Sequence, residues 1–335
     1  MKPTTLLKAA AFAAFALGAT AAGAQTYSFD APAAGSLAGV IPQTLAQYTA
    51  KDGVTLQVVT DQTLARSLIN LAAGKLDMAV VVPTGLESLR NAAEPYKDLG
   101  DNGKAMAANV RSLFGIPGGT YHAIVWADSG IDTWADAKGK RVFIGPAGGA
   151  ANDIFIGLAQ IAGGIEVDKD FEPVRAPWAA SSQSFQDGQF DVLIASAAIG
   201  QKSLMELSLQ RPIRLLGVDP AIADSDGYRA YLKNLSLMKA VIPAGTYPGQ
   251  VNSDQDVITA QTVLMIGVTK DFSEEDAYKI TRAYWANLDD MKAGNALLKP
   301  IDASDPFAGL NAPLHPGAIR YYEEAGIAVP ADLKP

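Results

Sequence analysis

The sequence predicts an α/β fold built as two like lobes, each a mixed sheet covered by helices, and three observations carry that expectation. Strand, loop and helix alternate along the first part of the chain, and the strands read as apolar runs, as buried parallel strands do. The same order returns from Arg141 onward. The two copies also share a local text, Ala73-Gly74-Lys75-Leu76-Asp77-Met78-Ala79-Val80 beside Asp187-Gly188-Gln189-Phe190-Asp191-Val192-Leu193-Ile194. In both, a glycine ends a helix and an aspartate precedes an apolar strand.

The chain opens with Lys2 and Lys8 around Leu6-Leu7, an Ala-rich apolar run, and Ala22-Gly23-Ala24 before Gln25. A basic start, an apolar run too short to span a bilayer comfortably and a small-residue cleavage site predict a secretory signal peptide over 1–24. A strand is then expected at 27–30, a helix from 37 to about 50, a strand at 54–59, a helix from 64 to Gly74 and a strand at 78–82. Segments 110–116 and 121–126 read as extended crossings between the lobes, broken at Pro117-Gly118-Gly119. The second lobe follows with strands at 141–145, 171–176 and 192–195 and helices at 150–162 and 178–187. Beyond Val218 the chain reads as irregular until a strand at 262–268. Ser273-Glu274-Glu275-Asp276 opens a helix with acids in its first turn, reaching about 292, and a last helix follows Pro316. These C-terminal helices should brace the first lobe, giving 25–120 with 260–335 as one lobe and 121–259 as the other.

Composition narrows the chemistry. The net charge is −8, and there are two histidines and no cysteine among 335 residues. The missing thiols exclude disulfides, thiolate metal sites and a thiol nucleophile. Without basic clusters, nucleic acid and anionic membranes are poor partners. His122 and His315 lie far apart and read as structural, and no pair stands at metal-ligand spacing. Nucleophile-elbow, Walker and dinucleotide fingerprints are all absent, and Gly145-Pro146-Ala147-Gly148-Gly149 fails the last of these. No catalytic residue, metal or cofactor is expected. Asp61, Asp128, Asp153 and Asp187 near loops read as caps or solvated acids.

Binding is better supported, because loops at the carboxyl ends of parallel strands form the usual ligand crevice of open α/β sheets. The candidates are Ala34, Gly35 and Ser36; Asp61, Gln62 and Thr63; Ala147, Gly148, Gly149, Ala150 and Asn152; Trp178 and Ser181; and Ala195 with Ser196. In the Gly145 loop, small side chains let a ligand approach the free N–H groups of a helix start, where the dipole favours an anion. A plain tight turn is the competing reading. Trp178 reads equally as an apolar wall or as core. Arg66 and Arg175 are the nearest cations.

Several stretches resemble the TAXI class of extracytoplasmic solute receptors of tripartite ATP-independent periplasmic (TRAP) transporters. They are Ser129-Gly130-Ile131 through Lys138-Gly139-Lys140-Arg141 into Gly145-Pro146-Ala147-Gly148, the Asp187 to Asp191 turn, and Ile242-Pro243-Ala244-Gly245-Thr246-Tyr247-Pro248-Gly249. Tyr278-Lys279-Ile280-Thr281 and Pro313-Leu314-His315-Pro316-Gly317-Ala318 are similar too. The resemblance implies a type II periplasmic binding protein fold with a hinge and a central cleft. It implies a monomer in the Gram-negative periplasm that closes on a small organic anion (a carboxylate, oxo acid or amino acid) and delivers it to TRAP membrane permease subunits. A receptor for an ABC importer or sensor kinase, or a periplasmic enzyme on the same scaffold, is the alternative. Two departures bear on the ligand. The family's first loop commonly reads Gly-Gly-x-Tyr-Tyr, against Ala33-Ala34-Gly35-Ser36-Leu37 here, and Ala147, Ala150 and Ala151 replace the usual serine and threonine of the Gly145 loop. The expected ligand is therefore larger than glutamate, or held more by backbone groups.

If the Gly145 loop is a ligand site, Gly148→Val should weaken binding by about tenfold or more while unfolding stays cooperative, because bulk blocks approach to the helix start. Equal loss of stability without selective loss of affinity would mark a plain turn.

Overall fold

The computed structural model describes residues 25–147, 151–299, 301, 303 and 305–335. The signal-peptide reading of 1–24 and the candidates Gly148, Gly149 and Ala150 lie outside them. The first strands form where the apolar runs stand: β1 (Gln25–Asp30), β2 (Val54–Val59) and β3 (Met78–Val81). β2 and β3 flank β1, both parallel to it. Between them run α1 (Leu37–Thr49) and α2 (Leu64–Ala72). Ser36 caps α1, its Oγ accepting from the Gly39 amide at 3.1 Å. Two helices that the apolar pattern did not reveal follow, α3 (Pro83–Arg90) and α4 (Gly100–Ala107).

Next comes β4 (Val110–Trp126), a single strand of 17 residues. The expected break at Pro117-Gly118-Gly119 is not there. Pro117 pairs with Val263 and Thr120 with Gln261, so one extra residue is absorbed as a bulge while the chain stays extended. The glycines serve close approach: a Cβ at Gly118 would run into Thr262 Oγ1, and one at Gly119 into Ser196 Oγ.

The second half repeats the plan with β5 (Arg141–Phe143), α5 (Ala151–Gly163), β6 (Glu172–Val174), α6 (Trp178–Gln186) and β7 (Leu193–Ala197). α7 (Lys202–Gln210) and β8 (Ile213–Leu216) lead into the stretch read as irregular. It holds α8 (Pro220–Ala223), α9 (Asp226–Asn234) and β9 (Leu237–Ile242). β10 (Val257–Thr269) is almost twice the length expected. The helix foreseen to about 292 divides at Asn287 into α10 (Glu274–Ala286) and α11 (Leu288–Gly294), and α12 (Pro316–Glu324) is the last.

These elements make a mixed α/β fold in two lobes. β3, the second half of β10 and the first half of β4 extend the β2-β1 pair. The remaining halves of the same two strands carry β9 on one side and β7 with β8 on the other. The sheets are thus joined through β4 and β10 into one eight-stranded ladder, and β5-β6 stands beside it as a parallel pair. Phe29, Ile41, Phe114, Ile280, Tyr284 and Tyr322 share one core, in which Phe114 stacks on Tyr284 at 4.2 Å between centroids. Trp134, Phe155, Tyr228 and Tyr231 share another.

The His-Pro-Gly-Ala stretch now has a physical reason. His315 is the N-cap of α12, its Nδ1 accepting from the Gly317 amide at 3.3 Å, and Pro316 supplies the preset φ of the first helical residue. Gly317 faces the backbone of α10: a Cβ would collide with the Glu274 carbonyl oxygen and stand 2.8 Å from the Tyr278 nitrogen. Gly317→Ala should therefore lower stability in urea unfolding by about 1–3 kcal/mol, by overpacking α10 against α12. An unchanged midpoint would contradict this close packing.

Candidate functional site

A cavity of about 590 Å³ opens where the bulged crossing of β4 and β10 meets several helix starts. Val82, Pro83 and Thr84, at the end of β3 and the start of α3, form one side. Tyr121 of β4, Ala195 and Ser196 of β7, and Thr262 and Val263 of β10 form the base. Ala151 and Ile154 from α5, Trp178, Ser181 and Ser182 from α6, and Gln201, Ser203 and Leu204 at α7 close it, with Leu235, Ser236 and Leu237 between α9 and β9. None of these residues carries a formal charge.

The helix starts follow from the sequence. Proline occupies the first position of α3 and the N-cap of α6, and α3, α6 and α7 have no side-chain cap bond among the described residues. Their first-turn N–H groups are left to other acceptors, and their dipoles put partial positive charge on the cavity wall.

Of the residues singled out from sequence, Trp178, Ser181, Ala195 and Ser196 line this cavity. Trp178 is 45% exposed, yet its ring meets Phe143 and Phe155 edge to face at 5.5 and 6.0 Å. It is both wall and core rim. Ser181 donates to the Trp178 carbonyl at 2.9 Å, closing the first turn of α6.

Ala34, Gly35, Ser36, Asp61, Gln62, Thr63, Ala147 and Asn152 do not line it. The first two loops are tied to each other, the Asp61 and Gln62 amides donating to the Pro32 and Ala31 carbonyls at 3.1 Å each. The Ser36 hydroxyl is occupied at α1, and Gln62 Nε2 donates to the Thr60 carbonyl at 2.9 Å. Asn152 braces the loop before α5, donating to the Ile144 and Pro146 carbonyls at 2.7 and 2.9 Å. Its Oδ1 accepts from Arg175 Nε at 3.3 Å, so this cation serves the loop, and Arg66 is not at the cavity either.

Sequence reasoning missed Val82–Thr84, Tyr121 and the α7 and α9–β9 edges. The signal for the first was an apolar strand running into Pro83, a proline at the opening of a helix. Tyr121 is only 3% exposed, packs edge to face on Phe155 at 5.0 Å, and has no hydrogen-bond partner for its hydroxyl among the described residues. Burial pushes its pKa up, so it stays a neutral donor.

One residue beyond Tyr121 on β4, His122 is fully buried. His122 Nδ1 donates to the Thr120 carbonyl at 2.9 Å, and its Nε2 accepts from the Tyr247 hydroxyl at 2.8 Å. The Tyr247 oxygen in turn accepts from the Gly200 amide at 3.1 Å, which ties the approach to α7 back to β4. The imidazole is a structural link, as is His315 at its cap.

A two-lobed α/β fold with a cavity at the strand crossing is the architecture of periplasmic binding proteins. A family model described as the NMT1-like family matches residues 19–326, and the chain belongs to that family. Similar solved structures include a periplasmic sulfonate-binding protein, SsuA, from Methylobacillus flagellatus KT, at 13% identity and a TM-score of 0.50, covering 93% of this chain and 81% of that one. The periplasmic aliphatic sulphonate binding protein SsuA from Escherichia coli matches at 14% identity and 0.48, over 92% and 96%. A TRAP periplasmic solute binding protein from Desulfovibrio salexigens, with bound orotic acid, matches at 11% and 0.44, over 90% and 94%. At 13% identity the likeness to the Methylobacillus flagellatus protein is one of fold.

Burial pushes His122 down to about 4 from 6.5. The fold favours the neutral ring, so the unfolded chain binds the extra proton in this window. The stability it supplies is complete above pH 6.5 and lost as pH falls toward 4. The difference in unfolding free energy between wild type and His122→Gln should grow with rising pH across that window, by up to roughly 1.4 kcal/mol per unit. A difference independent of pH would contradict the buried neutral imidazole.

Proposed function

We propose that this protein is a periplasmic receptor that captures a small organic anion in the cavity and hands it to a TRAP-type secondary transporter. The observation that carries the reading is the cavity itself: it combines uncapped helix starts with hydroxyls and apolar walls, and lies within the roughly 300–1,000 Å³ of small-molecule sites. Membership of the NMT1-like family and the TAXI resemblance along nearly the whole chain support a transport role. Among the described residues no helix is long and apolar enough to cross a membrane; the proposed receptor is a monomer, released by cleavage after Ala24.

Trp178, Ser181, Ala195 and Ser196 are the ligand contacts on the second lobe, with Tyr121 and Thr84 beside them. Closure about β4 and β10 would bring the loops Ala34–Ser36 and Asp61–Thr63 toward the ligand, the lobes moving as 25–120 with 260–335 against 121–259. Binding rather than turnover fits a lining that offers neither carboxylate nor imidazole for proton transfer.

Native mass spectrometry of protein purified without refolding tests this. A small-acid adduct is expected, and Ser182→Trp, at an exposed position on the cavity edge, should abolish it while unfolding remains cooperative. An adduct that survives this filling would place the ligand elsewhere. No adduct, with no thermal shift from any amino or organic acid, would overturn the reading.

A further inference from the structure

We infer that the ligand is a monoanion with a ring-sized apolar body and no ammonium group, an inference that rests on reading this cavity as the ligand site. The charge inventory comes first. No lining residue is acidic, so the ammonium of an amino acid would lose its water without gaining a counter-ion. No lining residue is basic, so a second carboxylate would be as poorly served, and the net charge of −8 opposes polyanions at longer range.

One anionic head is a different matter. The first-turn N–H groups of α3, α6 and α7 have no side-chain cap bond among the described residues, and all three helices begin at this cavity. Tyr121 adds an independent sign of a missing partner. Its side chain borders the cavity and is nine-tenths buried and more, and its hydroxyl has no hydrogen-bond partner among the described residues. That hydroxyl is open to the cavity rather than sealed in the core, and is free to donate to whatever occupies the cavity. A carboxylate or sulfonate oxygen is an acceptor for it.

The rest of the surface asks for apolar bulk. Val82, Ile154, Leu193, Leu204, Leu237 and Val263 all line the cavity, and Trp178 offers an aromatic face with nearly half its surface open. A sugar or a short hydroxy acid would set some of its hydroxyls against these aliphatic side chains. An aryl or cycloalkyl carboxylate, or the matching sulfonate, meets each part of the wall with its own kind.

Calorimetric titration of the full chain, stripped of ligand by unfolding and refolding, separates the possibilities. The probes are benzoate, cyclohexanecarboxylate, benzamide, glutamate and succinate. Benzoate and cyclohexanecarboxylate should bind at least about tenfold more tightly than the other three. Tyr121→Phe, which keeps the buried ring, should weaken benzoate by about tenfold with the unfolding midpoint unchanged. Tighter binding of glutamate or succinate would overturn the ligand class while leaving the cavity a binding site. Benzamide equal to benzoate would overturn the anionic head, and a Tyr121→Phe variant with wild-type affinity would overturn the hydroxyl as donor. Silence from all five probes, together with no copurified small molecule, would overturn the cavity reading as well.

Discussion

The antiparallel pairing of β4 with β10 is the constraint on which the rest of this structure depends. Both strands pass through both lobes, so every other strand of the eight-stranded ladder is placed by its distance from them. Where they pass from one lobe to the other, the extra residue on β4 interrupts the ladder, and threonines make good the exposed backbone groups. The Gly119 amide donates to Thr262 Oγ1 at 2.8 Å, and Thr259 Oγ1 donates to the Tyr121 carbonyl at 2.8 Å. Thr120 Oγ1 donates to Gln261 Oε1 at 3.2 Å beside them. The same crossing supplies the base of the cavity through Tyr121, Thr262 and Val263. The joint between lobes and the floor of the site are made by the same two strands.

That identity explains the glycines and the buried histidine together. Gly118 and Gly119 let Thr262 and Ser196 approach the strand, and a side chain at either position would displace groups at the cavity floor. One residue beyond Tyr121, His122 points its hydrogen bonds the other way, to Tyr247 and through it to Gly200 at the approach to α7. A helix start at the cavity rim is therefore registered to the central strand by a neutral, buried chain of hydrogen bonds. Such a chain fixes position without introducing charge into a site that otherwise has none.

Much of the scaffold was legible in the sequence. The apolar runs that became β1, β2 and β3, the glycine stops after α2 and α6, and the proline that opens α12 are local signals, set by burial and backbone preference. What was not legible depended on distant pairing. Pro117-Gly118-Gly119 reads as a break because a local rule cannot know that β10 lies alongside and holds the chain extended. The stretch after Val218 conceals β9 for the same reason: Leu237–Ile242 becomes a strand by adding to β10. The candidate site divides similarly. Trp178, Ser181, Ala195 and Ser196 belong to elements read correctly and line the cavity, whereas Ser36, Gln62 and Asn152 spend their polar groups on caps and loop braces. Tyr121 escaped notice because an unpaired hydroxyl is a property of three-dimensional surroundings alone.

The most direct measurement is a crystal structure of the protein isolated with whatever small molecule it carries from its host. The account predicts density for one organic anion against Trp178, its charged group within hydrogen-bond distance of the Tyr121 hydroxyl and the first-turn amides of α3, α6 or α7. A ligand held instead by Gly35, Ser36 and Gln62, with only water beneath Trp178, would contradict it.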